Sequence, residues 1–178
     1  IAAGRRVAVS CRGPGLLAEQ GSKHLVAAEI DAHSEGGVTR IMDRPYRGEI
    51  SLRNSNGRIV IVNSLPLEDY LRSVVPAEIP SSFHPEAIKA QAVVSRTIAI
   101  NWMGRHSKEG ADFCDSTHCQ VYAGAAVETG ATDAAVTQTE GLILTFDGQR
   151  AQVFYHSTCG GHTADANRVW PGTAWPSY

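Results

Sequence analysis

Residues 65–97, LPLEDYLRSVVPAEIPSSFHPEAIKAQAVVSRT, carry the reading that decides the fold. Leu67, Tyr70, Leu71 and Val74 recur at helical spacing, Pro66 suits a first-turn position, and Glu68 and Asp69 complement the helix dipole there. A first helix is expected from Pro66, ended by Pro76. Pro76 and Pro80 fix φ at their own positions and push Val75 and Ile79 out of the helical region, so Pro76-Ala77-Glu78-Ile79-Pro80 reads as a stiff bend carrying a carboxylate. A second and longer helix is expected over 85–103, opened by Pro85 and Glu86, with Gly104 beyond its end. Ala87, Ile88, Ala90, Val94, Ile98 and Trp102 give it a broad apolar face, which leaves Lys89, Gln91, Ser95 and Arg96 to a polar one.

Upstream of this block the pattern is that of strands. Residues 6–10, 24–30 and 48–53 alternate apolar and polar side chains, and Asn56-Gly57 between 50–52 and 58–62 favours a tight hairpin. Downstream, 131–139 reads as a short helix closed by Gly141, and 142–146 should pair with 149–158 across Asp147-Gly148. The expected fold is mixed α+β: antiparallel strands from the first and last thirds around the long helix, with a cleft beside the proline-bracketed bend. No internal repeat or linker divides residues 1–178, so one domain is expected.

The 178 residues, 43% hydrophobic and 19% charged, are enough to bury a core without a partner. A net charge of -2 with scattered Lys and Arg gives no field to attract nucleic acid. No apolar run approaches the about 18 residues that a membrane helix needs. The first ten residues lack a basic stretch followed by an apolar one, so no signal peptide is expected in them. Trp175-Pro176-Ser177-Tyr178 reads as a cut through a longer protein.

Three segments can carry chemistry. The first is the bend with Glu78, since a carboxylate set among apolar neighbours holds its proton more tightly, as a general acid must. Glu78 could equally cap the next helix or pair with Arg72 or Lys89. The second is Cys114-Asp115-Ser116-Thr117-His118-Cys119-Gln120-Val121-Tyr122, and the third runs from Val153 through His156, Ser157 and Cys159 to His162. Together they supply enough nitrogen and sulfur ligands for one tetrahedral zinc. The Cys114 and Cys119 spacing fits a metal knuckle, a small disulfide loop or inert thiols equally well, and four cysteines are too few for a disulfide scaffold. Alternation puts Gln152, Phe154 and His156 on one face of an expected strand. Gln91, Arg96, Gln120, Tyr122 and Ser157 are further candidates to bond or stack against a ligand.

These same segments resemble the SpoIID/LytB family, whose members act on bacterial cell-wall glycan. The resemblance covers about residues 48–170 and is strongest over LPLEDYL, PAEIP, EAIKAQA and SRT. It implies that Glu78 is the catalytic acid of a lytic transglycosylase acting on glycan stripped of its stem peptides. Ile79 stands where many members have Met, a mild change. The resemblance also implies a zinc, with Cys114 and Cys119 as ligands, His118 next, and His156 either completing the set or contacting substrate. Other relatives are amidase enhancers, so the second reading is a wall-binding module that stimulates an N-acetylmuramoyl-L-alanine amidase. Either role implies peptidoglycan as partner and a place outside the cytoplasm, at the bacterial envelope. A transglycosylase needs only one carboxylate, because the sugar's own 6-hydroxyl is the nucleophile, whereas glycoside hydrolases use two.

Overall fold

The computed structural model describes residues 6–34 and 37–172; the expectations for Trp175-Pro176-Ser177-Tyr178 lie outside them. The fold is α+β, as the sequence pattern implies. The strands β1 (Ala8–Arg12), β2 (Gly15–Gln20) and β3 (Lys23–Ala27) form one antiparallel sheet in the order β1-β2-β3. A second sheet, ordered β4-β7-β8, is built from β4 (Glu29–His33), β7 (Glu49–Ser55) and β8 (Arg58–Ser64). A small hairpin, β5 (Thr39–Ile41) with β6 (Arg44–Tyr46), lies between them in the chain. The expected hairpin at Asn56-Gly57 is present: both residues adopt positive φ, 52° and 78°, and the side chain of Asn54 accepts from the Gly57 amide at 2.9 Å. The same Asn54 amide donates to the carbonyls of Gly13 and Gly15, tying the first sheet to the second. Leu16, Ile50 and Leu52 form the buried centre of this strand layer.

The helical layer has its own core. Helix α1 (Leu67–Glu78) contributes Tyr70, Leu71, Val74 and Val75, helix α2 (Pro85–Trp102) contributes Ile88, Ala92 and Ala99, and helix α3 (Gly130–Gln138) contributes Ala135 and Val136. The long helix therefore packs on α1 and α3 and is not wrapped by strands, as the sequence reading had it. Among its described residues the last third supplies only a two-residue ladder, β9 (Thr145–Phe146) with β10 (Gln149–Arg150), before extended chain leads to a short helix α4 (Ala166–Val169). His156 is consequently not on a strand. The alternation survives in burial, with Gln152, Phe154 and His156 exposed and Val153 and Tyr155 half-buried.

Two details of the expected helices are corrected. Pro76 does not end α1: it sits inside the last turn, and the helix runs on to Glu78, closed by the Ile79 amide bonding to the Val75 carbonyl at 3.0 Å. A proline this close to the end loses one helical hydrogen bond while Val74 and Val75, both fully buried, hold the turn in place. The break falls at Ile79, whose extended φ of -136° and ψ of 135° is what the following Pro80 imposes. The polar face of α2 is also not as expected. Ser95 and Arg96 are buried, Arg96 with 1% of its surface exposed. Its guanidinium makes a two-pronged pair with Glu68 of α1, Nε to Oε1 at 2.8 Å and Nη2 to Oε2 at 2.7 Å, and donates to the Leu142 carbonyl at 3.0 Å.

Candidate functional site

Because α1 extends through Pro76, Glu78 is presented from the last turn of a helix rather than from a loop. Its carboxylate is not drawn into the structural roles open to it. The side chain that caps α2 is that of His84, accepting from the Glu86 amide at 3.3 Å. Lys89 pairs with Glu86 at 2.8 Å, and Arg72 lies between Asp69 and Asp133 at 3.4 and 3.5 Å. Glu78 instead faces a cleft of about 1250 Å³, where its Oε1 accepts a hydrogen bond from the Val121 amide at 3.0 Å.

The cleft wall is contributed by α1, by α2 from Gln91 to Trp102, by the cysteine loop and by the extended chain around residue 156. Among the described residues that line it, Glu78 is the single carboxylate and Arg105 the single permanent cation. Trp102, Phe154 and Trp170 supply an aromatic wall, with Phe154 and Trp170 ring centroids 4.6 Å apart. Tyr155 also lines it. Burial raises the phenol above its ordinary range, the nearby Glu78 adds to that, and Gln120 works in the opposite direction. Sequence reasoning passed over Tyr155; a tyrosine directly before the candidate His156 was the available signal.

The sequence candidates divide. Gln91, His156 and Ser157 line the cleft with Glu78, and the amide of Gln91 donates to Ser95 Oγ at 3.1 Å. Arg96 does not reach it, being held in the core by Glu68. Gln120 is 1% exposed and accepts from the Tyr70 hydroxyl at 3.5 Å, behind the cleft wall. Tyr122 lies on the far side of the cysteine loop, stacked on Tyr70 at 5.4 Å and donating to Asn63 at 2.6 Å, where it lines a second cavity.

His118 and Cys119 of the cleft lining belong to a cluster of four metal-type ligands, His106, Cys114, His118 and Cys119, with one donor atom from each lying within 4.8 Å of the others. His118 Nδ1 is at its centre, 3.6 Å from Cys114 Sγ, 3.8 Å from Cys119 Sγ and 3.2 Å from His106 Nε2. Two sulfurs and two imidazole nitrogens at this spacing are a donor set that could hold a metal ion. His118 and Cys119, adjacent in sequence, both point inward because they lie in a turn, with the Cys119 amide bonded to the Ser116 carbonyl at 3.0 Å. Burial pushes the Cys114 thiol up, but hydrogen bonds to Ser116, His118 and Cys119 outweigh it and bring the thiol down to about 6. Cys119 is raised, burial being the largest cause.

His106 completes the set in place of His156, and no sequence spacing drew attention to it. It is delivered by a tight loop after α2: Gly104 and Gly110 take φ of 81° and 74°, and the His106 amide bonds to the Asp112 carbonyl at 3.2 Å. Its Nδ1 faces Glu109 at 3.7 Å, which turns Nε2 toward the cluster, an orientation familiar from metal-binding histidines. Replacing His106 with Ala is expected to weaken metal affinity at least about tenfold in a chelator titration. His156→Ala should leave metal content unchanged, and a loss there equal to that of His106→Ala would put His156 back among the ligands.

Fold and site together define an α+β protein in which one helix-borne carboxylate faces an aromatic-walled cleft buttressed by a cysteine and histidine centre. A family model described as SpoIID, stage II sporulation protein, matches residues 55–146, and the chain belongs to that family. An uncharacterized protein of Brachyspira hyodysenteriae is 32% identical over 155 residues, covering 83% of this chain and 42% of the relative. The stage II sporulation protein D of Bacillus subtilis is 36% identical over 166 residues, 80% of this chain and 48% of that protein. The amidase enhancer of the same organism is 39% identical over 100 residues, 56% of this chain and 13% of that protein. The chain thus spans less than half the length of these curated relatives. No solved structure matches it. No helix among the described residues is long and apolar enough to cross a membrane.

Proposed function

We propose that the chain is a lytic transglycosylase that cleaves peptidoglycan strands lacking stem peptides, outside the cytoplasm at the cell envelope. The observation that carries this reading is the single carboxylate of the cleft. A retaining or inverting hydrolase needs two carboxyl groups at set separations, and the described residues of the cleft lining offer no second one. A transglycosylase needs one. Glu78 donates its proton to the glycosidic oxygen as the bond to the anomeric carbon breaks. The same carboxylate then takes the proton from the sugar's 6-hydroxyl as that oxygen bonds to the anomeric carbon, leaving a 1,6-anhydro end and an unchanged enzyme.

The remaining residues position these groups. The Val121 amide holds one carboxylate oxygen, and the Tyr155 hydroxyl stands within hydrogen-bonding reach of the same carboxylate. Val121 is two residues past Cys119, so anything that fixes Cys119 also fixes the donor to Glu78. His106, Cys114, His118 and Cys119 would hold zinc, which supplies at this point a structural clamp on the loop and no part of the bond-breaking. His156 and Ser157 are assigned to substrate contact, alongside Gln91.

A second reading has a specific observation behind it, the similarity to a protein named amidase enhancer. In that reading the cleft binds wall glycan and the chain stimulates a partner amidase without cutting. Mass spectrometry of purified stem-free glycan strands after incubation separates the two. Anhydro-muramic ends are expected; intact strands, with stimulation of an added amidase, would establish the enhancer reading.

A further inference from the structure

We propose that Arg105 is a specificity residue that recognises the free carboxylate on the lactyl arm of a muramic acid unit, an inference that rests on the wall-glycan reading above. Removing a stem peptide converts the amide at the end of that arm into a carboxylate, so a stem-free strand carries a negative charge on the lactyl arm itself, where a substituted strand has a neutral amide. A site that selects such strands by their charge needs a cation, and the cleft provides one permanent cation among its described lining residues. Arg105 is exposed and its guanidinium carbon lies 4.4 Å from the centroid of Trp102, on the same wall as the aromatic side chains. Stacking on the ring face restrains the guanidinium, and the edge not turned to His118 can offer its N–H groups to a carboxylate. Nη2 lies 3.2 Å from His118 Nε2 and the same guanidinium faces Cys119, so one edge of Arg105 is turned to the cysteine and histidine centre while the exposed remainder of the side chain faces the cleft. The aromatic wall would take the apolar face of the sugar ring while Arg105 takes its charged arm.

The test uses binding, so that it does not depend on turnover. The Glu78→Gln protein is titrated with two preparations of stem-free glycan: one with native lactyl carboxylates, one with those carboxylates capped as methylamides, which mimic the first bond of a stem peptide. The native strand is expected to bind about tenfold more tightly than the capped one, the difference that one carboxylate–arginine contact supplies. Arg105→Gln should abolish the difference by weakening only the native strand, and Arg105→Lys should restore part of it, with metal content unchanged in both. Equal affinity of the Arg105-containing protein for the two strands overturns the proposal while leaving the wall-glycan reading intact. So does loss of both affinities together with metal, which would make Arg105 a support of the cysteine and histidine centre. No binding of either strand sinks both.

Discussion

Glu78→Gln is expected to lower glycan cleavage by about 10²- to 10⁴-fold, the contribution a positioned general acid and base makes to such a step. The amide is nearly isosteric, and its oxygen can still accept from the Val121 amide, so the last turn of α1 and the cysteine loop should stay docked. Folding stability is therefore expected to change by no more than about 0.5 kcal/mol, as for a substitution that keeps its contacts. What the amide cannot do is give up a proton to the leaving oxygen and later take one from the 6-hydroxyl. The measurement is the rate of anhydro-end formation together with a denaturant midpoint for each protein. Near-wild-type turnover in Glu78→Gln would remove this residue from the mechanism. A large fall in both turnover and stability would instead mark it as a structural anchor of the loop.

The largest effect on stability is expected from Arg96→Met, at about 3–5 kcal/mol. The guanidinium is 1% exposed, paired on two sides with Glu68 and bonded to the Leu142 carbonyl, so it joins α1, α2 and the chain that follows α3. Met fills much of the volume but leaves the Glu68 carboxylate, 27% exposed, without its cation. Most of the cost is that stranded charge and not the pair itself. Arg96→Met combined with Glu68→Leu should accordingly recover a substantial part of the loss, a coupling that a double-mutant cycle reads directly. A single Arg96→Met variant as stable as the parent would show that the pair contributes nothing to the fold. It would also reopen the assignment of this arginine to sugar binding.

The sequence by itself determined what local physics controls. Helical spacing from Leu67 to Val74, the Pro85 start and Gly104 stop of α2, and the Asn56-Gly57 hairpin were all legible, because propensity, capping and turn chemistry act over a few residues. Glu78 and the Cys114, His118 and Cys119 loop were legible as reactive residue types at close spacing. The tertiary structure alone decided where these groups point and what they meet. Pro76 reads as a helix stop, yet burial of Val74 and Val75 outweighs one missing hydrogen bond and carries Glu78 on the helix to the cleft. Arg96 reads as a surface residue of α2, yet Glu68, 28 positions away, draws it into the core. His106 reads as an isolated histidine, and only the folding back of the Gly104 to Gly110 loop sets it beside His118. Tyr122 faces the second cavity on the far side of the cysteine loop, and Gln120 is buried behind the cleft wall. In each case the deciding contact is long-range, and its free energy comes from burial and charge pairing that no local pattern encodes.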